Sequence, residues 1–155
     1  MIIAELSDAF DGYLARRLNQ ISDLGKILDP MADSICHITY FLAFTQSPVS
    51  IPIFLVFIFI YRDAIISTLR TVCALQGFAL AARNSGKLKS AIQAIVSFTI
   101  VLLMIGTSYG ALSKQTLTGI STILVSIAAF FSLFSAGEYL ILNRSHISKL
   151  LKIND

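Results

Sequence analysis

The chain has 155 residues, 12 Lys plus Arg against 9 Asp plus Glu, 55% hydrophobic and only 14% charged residues, and a mean hydropathy of +0.77. A soluble domain carries about 25% charged residues, so the composition excludes an ordinary water-soluble globule and indicates a membrane protein. At roughly 20 residues per crossing, the length admits one all-α domain over 1–155: a polytopic transmembrane helix bundle of about four spans plus an N-terminal helix. The net charge of +3 and pI near 9.0 point to topology markers in such a chain and not to nucleic acid.

In chain order, the segment Met1–Glu5 lacks the basic start and long apolar core of a signal peptide, so internal spans are expected to drive insertion. Residues 1–33 are the least hydrophobic stretch and hold six of the nine acidic residues, Glu5, Asp8, Asp11, Asp23, Asp29 and Asp33. A short apolar helix is predicted from about Met31 to Thr45, closed by a loop over residues 46–50 with its helix-breaking Pro48. The second span runs from about Ile51 to Val72, with Pro52 in its first turn, where a missing amide hydrogen costs nothing. A mostly helical or looped connection over 73–86 includes Arg83-Asn84-Ser85-Gly86. The third span is about Leu88 to Tyr109 and the fourth about Leu117 to Leu142, joined by a Gly, Ser and Lys114 turn. The tail carries an amphipathic stretch, Ile147–Ile153, suited to a lipid surface.

If the spans alternate, eleven basic residues lie on or nearest one side, and only Lys114 lies on the other. By the positive-inside rule the acidic N-terminal segment, the 73–87 connection and the C-terminus face the cytoplasm. Cys36 and Cys73 stand apart in apolar surroundings without metal-ligand spacing and read as unpaired structural thiols.

The chemistry concentrates in Ser7 to Asp33. At about 100° per residue, Asp8, Asp11, Gly12, Ala15 and Arg16 share one helix face, pairing two carboxylates with two small residues. Gly25, Asp29 and Asp33 recur every four residues on the next helix, a second stripe of the same kind. Four carboxylates converging near a bilayer cannot all stay ionised unaided. Arg16, Arg17 and Lys26 can neutralise them as a salt-bridge network. Alternatively one or two divalent cations sit among them; an all-oxygen ligand set without His or Cys, with room left by glycine, suits Mg²⁺ or Mn²⁺ completed by phosphate oxygens.

These residues read D-x-x-D-G-x-x-A-R, eight residues, G-x-x-x-D-x-x-x-D, which resembles the signature of the CDP-alcohol phosphatidyltransferase family at every fixed position. A chance match somewhere in the chain is on the order of 10⁻⁸ at average residue usage. The resemblance implies an enzyme that transfers a phosphatidyl group from a CDP-linked lipid to an alcohol and releases CMP, possessing Mg²⁺ or Mn²⁺ as cofactor and forming a homodimer. It implies that Asp8, Asp11, Asp29 and Asp33 hold the metal, with Asp33 also the general base. It further implies that Gly12, Ala15, Arg16, Ser22 and Gly25 bind the CDP-lipid. Family members normally have six spans, and only seven residues precede Asp8, so the chain is expected to lack the family's N-terminal spans.

Arg62-Asp63-Ala-Ile-Ile-Ser67-Thr-Leu-Arg70 and Gly86-Lys87-Leu-Lys89-Ser90 resemble the members of that family whose acceptor is glycerol 3-phosphate. On that resemblance Arg62, Arg70, Lys87 and Lys89 bind the acceptor's phosphate, the substrates are CDP-diacylglycerol and glycerol 3-phosphate, and the product is phosphatidylglycerophosphate. Arg62 falls inside the second span, where an unpaired charge is expensive, so an interior role is expected of it. Lys87 and Lys89 serve equally well as anchors at a cytoplasmic helix start, and Arg83 reads as a topology marker. His37 reads as an interior hydrogen-bonding group and Glu138 as a structural partner of a basic residue. Two alternatives stay open: the same chemistry on another acceptor, such as inositol phosphate or a second lipid, and a truncated or cation-conducting membrane protein without catalysis.

Overall fold

A computed structural model describes residues 23–75 and 84–144, with side chains placed over 31–73 and 85–144. Among the described residues there are four α-helices and no strand: α1 (Asp23–Phe44), α2 (Ile53–Leu75), α3 (Asn84–Ser108) and α4 (Lys114–Leu142). The chain divides into two compact units, Met1–Asp33 and Ser34–Asp155. Of the first, the described part is the opening of α1. The second contains the rest of α1 and the other helices.

α1 begins eight residues before the predicted Met31 and continues through Pro30, where proline removes one backbone hydrogen bond. It ends where Thr45 and Gln46 fold back onto Leu42 and Ala43, N to O at 3.1 Å each, and Ile51 donates to the Phe44 carbonyl at 3.1 Å. The carbonyl of Pro52 then accepts from Leu55 N at 3.1 Å, so the proline sits at the entrance of α2. At the other connection, Gly110 adopts φ +74°, a left-handed geometry that glycine enters without a Cβ clash. Gly110 N donates to Thr107 O and Ala111 N to Gly106 O, both at 3.0 Å, the paired bonds of a Schellman stop. Two residues later Ser113 caps α4, its hydroxyl accepting from Thr116 N at 3.1 Å.

Within the second unit α4 packs against both α2 and α3. Its buried stripe is Leu117, Ser121, Val125, Ala128, Ala129, Ser132, Ser135 and Tyr139, mostly small residues that let helices approach closely. The apolar core joins Phe41 and Phe44 of α1, Leu55, Val56 and Phe59 of α2, Val96 and Ile100 of α3, and Leu117, Val125, Ala128 and Ala129 of α4. Phe41 and Phe59 stack with ring centroids 4.8 Å apart. Lys114 Nζ donates to Ser47 Oγ at 3.1 Å, so the α1–α2 and α3–α4 connections lie at the same end of this unit.

The outward faces are apolar as well: Ile95, Leu102, Ile105, Ile123, Ile127, Phe130, Phe134 and Ile141 are all exposed. A water-soluble protein does not present such a surface, and lipid contact satisfies it. By length and composition, α3 from Ser85 and all of α4 can cross a membrane. α2 has the length but carries Arg62, Asp63 and Arg70, and the apolar part of α1 is the shorter segment Met31–Phe44. Among the described residues the chain is therefore all-helical, and two of its helices are long and apolar enough to cross a membrane.

Candidate functional site

Of the signature residues, Asp8, Asp11, Gly12, Ala15, Arg16 and Ser22 lie outside the described residues, as do Arg83 and the 147–153 tail segment. Gly25, Asp29 and Asp33 fall on α1 one turn apart, as the predicted stripe requires, although the side chains of the first two are also outside the described set. The Asp33 side chain is exposed. Among the described residues, no three His, Cys, Asp or Glu side chains form a metal-binding group.

The described polar centre lies among α2, α3 and α4. Lys89 enters from the first turns of α3 and is almost completely buried. Its Nζ donates to both oxygens of Asp63 at 2.7 Å. Arg62 Nη1 donates to Asp63 Oδ1 at 2.9 Å, and Nη2 to Ser135 Oγ at 2.9 Å. Side-chain exposures of 10% for Arg62, 12% for Asp63 and 3% for Lys89 make this a largely desolvated group. Two cations share this one carboxylate. Arg62 Nε is buried and has no hydrogen-bond partner among the described residues.

Arg70, two turns further along α2, also reaches α4. Its Nε donates to Tyr139 Oη at 3.3 Å, and its Cζ lies 5.3 Å from the centroid of the same ring, within cation–π range. The two arginines thus contact α4 at positions one turn apart. Lys87 is exposed; two residues from Lys89, it points about 200° around α3. Of the four basic residues expected to hold a phosphate, the fold brings Arg62 and Lys89 together and seats Arg70 on the adjacent turn of α4. It does not bring Lys87 to them.

Three participants were not singled out in the sequence. Asp63 had a signal, since a carboxylate beside an arginine in an apolar helix requires an internal partner. Ser135 and Tyr139 had none beyond their place on a small-residue stripe. His37 is buried, with Nε2 3.3 Å from the Ser90 carbonyl oxygen, the interior hydrogen-bonding role expected of it. Cys36 and Cys73 are both free thiols, and Glu138 is half-buried on α4. Below Lys89 on the same face of α3, Gln93 and Ser97 are fully buried, with no side-chain hydrogen bond among the described residues.

A family model described as CDP-alcohol phosphatidyltransferase matches residues 1–134. The chain is 32% identical over 138 residues to a CDP-diacylglycerol--glycerol-3-phosphate 3-phosphatidyltransferase of Bacillus subtilis (strain 168), covering 89% of this chain and 68% of that protein. A protein of the same name from Rickettsia typhi (strain ATCC VR-144 / Wilmington) is 29% identical over 141 residues, covering 89% and 74%. A cardiolipin synthase (CMP-forming) of Streptomyces coelicolor (strain ATCC BAA-471 / A3(2) / M145) is 32% identical over 78 residues, covering 50% and 36%. The family match takes in the whole signature, Arg62, Asp63, Arg70 and Lys89, and stops one residue before Ser135.

Proposed function

The chain belongs to the CDP-alcohol phosphatidyltransferase family, and from that premise we propose that it transfers the phosphatidyl group of CDP-diacylglycerol to sn-glycerol 3-phosphate, giving phosphatidylglycerophosphate and CMP in phospholipid biosynthesis. The acceptor hydroxyl oxygen forms a bond to the lipid-side phosphorus, the bond from that phosphorus to the bridging oxygen breaks, and CMP departs. Asp33 takes the hydroxyl proton as general base. Arg16 pairs with the diphosphate, while Gly12, Ala15, Ser22 and Gly25 admit the nucleotide.

Asp8, Asp11, Asp29 and Asp33 supply only carboxylate oxygens, a donor set that fits a hard divalent cation, and the one-turn spacing of Asp29 and Asp33 on α1 suits a shared site. Mg²⁺ or Mn²⁺ held there would neutralise the diphosphate and the charge that develops on the leaving CMP.

The observation that carries the choice of acceptor is the desolvated Arg62–Asp63–Lys89 group, two cations gathered on one carboxylate with a buried Arg62 N–H left to donate. Such a group favours an acceptor that brings its own phosphate. Arg70 completes the cationic set in this reading, and Lys87 stays outside it at the exposed start of α3. We place all four helices across the cell (inner) membrane, with the active site on the cytoplasmic side. The distribution of basic residues and the Lys114–Ser47 contact at the opposite end support this. The family resemblance also implies a homodimer, which light scattering of the detergent-solubilised chain measures directly.

The function is tested with the purified chain in mixed micelles of CDP-diacylglycerol, with Mg²⁺ or Mn²⁺ and separately glycerol 3-phosphate, inositol phosphate or phosphatidylglycerol. CMP release that depends on both cation and glycerol 3-phosphate is expected. Release with either other acceptor in its place would reassign the substrate.

A further inference from the structure

Asp63 touches no reacting group in the scheme above, yet it organises the cations assigned to the acceptor. Its Oδ1 accepts from both Lys89 and Arg62, and its Oδ2 from Lys89. An arginine fork is planar and rigid, whereas a lysine ammonium swings on a flexible four-carbon stem. Contacts at Nη1 and Nη2 fix the plane of the Arg62 guanidinium and leave Nε as its free edge. The two-oxygen contact pins the Lys89 ammonium beside it. Without the carboxylate, two buried cations in close reach of one another repel, and Arg62 keeps only its Ser135 contact to fix its plane.

We propose that Asp63 is a positioning residue: it holds Arg62 and Lys89 converged on the acceptor's phosphate and so determines acceptor affinity without touching the acceptor. This role rests on glycerol 3-phosphate being the acceptor. It differs from a plain structural ion pair in what it predicts. A structural pair, once broken, weakens the fold and lowers turnover with both substrates alike. A positioning residue changes the response to one substrate.

The experiment is steady-state kinetics of the full chain in mixed micelles, with each substrate varied in turn, for Asp63→Asn and Asp63→Glu beside the unsubstituted protein. Asp63→Asn is expected to raise KM for glycerol 3-phosphate at least about 10-fold, the size of one charge-assisted hydrogen bond, with KM for CDP-diacylglycerol within about twofold of the original. Asp63→Glu restores the charge one methylene further out and should recover part of that loss. Equal rises in both KM values, no rise in either, or a fall in kcat alone would overturn the role. Should Asp63→Asn fail to fold, Asp63→Glu decides alone: a several-fold rise confined to glycerol 3-phosphate, at an unchanged unfolding midpoint, supports positioning, and an unchanged KM overturns it. An unsubstituted chain that releases no CMP with glycerol 3-phosphate overturns the acceptor assignment and this role together, whereas an active chain with unaffected Asp63 variants overturns the role alone.

Discussion

Lys89 and Asp63 meet at 2.7 Å in a setting where neither keeps much water. Burying such a pair costs several kcal/mol per ion, and only close geometry with further hydrogen bonds offsets it. Arg62 and Ser135 provide those bonds. At Tyr139 the interactions separate cleanly, because the hydroxyl and the ring both engage Arg70. Tyr139→Phe keeps the ring, so it should cost no more than about 0.5–1.5 kcal/mol, a few-fold rise in KM for glycerol 3-phosphate. Tyr139→Leu removes both contacts and should raise it further; equal values for the two variants would show that the ring contributes nothing. For the signature, Asp29→Asn or Asp33→Asn should cut CMP release at least about 10²-fold while leaving the helical circular dichroism unchanged, and near-normal turnover would remove that residue from the reaction. The Gly25–Asp29–Asp33 part of the carboxylate signature is readable as text because its spacing follows one helix. The Arg62–Asp63–Lys89 group is not, since its members come from two helices and Ser135 from a third. Charge patterning identified both cations but could not say that one carboxylate joins them.

α4 shows what a helix needs in order to sit between two others. Its inward positions are mostly Ser and Ala, its outward positions Ile, Phe and Leu, the reverse of the bulk distribution in a soluble bundle. In lipid, association depends on close packing and not on burying bulk. Ala128→Leu therefore forces α4 away from its neighbours and should destabilise the unit by about 1–3 kcal/mol, read as a lower unfolding midpoint in detergent. Ile127→Leu, one residue away on the lipid side, should stay within about 0.5 kcal/mol of the original. A large effect at 127 with none at 128 would mean that the faces are assigned the wrong way round. The apolar runs located α2, α3 and α4 to within a few residues. α3 begins at Asn84, inside the stretch expected to be a connection. The sequence leaves this connection helical or looped, and the cost of about 1 kcal/mol for Gly86 in a helix is outweighed once Lys89, Gln93 and Ser97 are carried inward on one face. α1 runs from Asp23 through Pro30, which joins the short apolar helix to the Gly25–Asp29–Asp33 stripe in one element.

At the scale of the molecule, the distribution of basic residues predicts an orientation, and the helix contacts define a partnership. A single cysteine at Lys114, in a Cys36→Ser, Cys73→Ser background, should react with a membrane-impermeant maleimide added outside intact cells, while one at Lys87 should react only after the membrane is opened; the opposite pattern would invert the topology. The partnership has a consequence for how the protein is made. Arg70 and Tyr139 are 69 residues apart, and at about 5–20 residues per second the ribosome needs several seconds to deliver one after the other. During that interval α2 holds two arginines whose α4 contacts do not yet exist, each costing about 2.5–3.5 kcal/mol at the centre of a lone helix. α2 should therefore wait in or beside the translocon and enter lipid together with α3 and α4. Glycosylation mapping should find α2 poorly integrated in a released chain truncated after residue 112 and fully integrated in the released full-length chain, so that a later helix completes the insertion of one made seconds earlier.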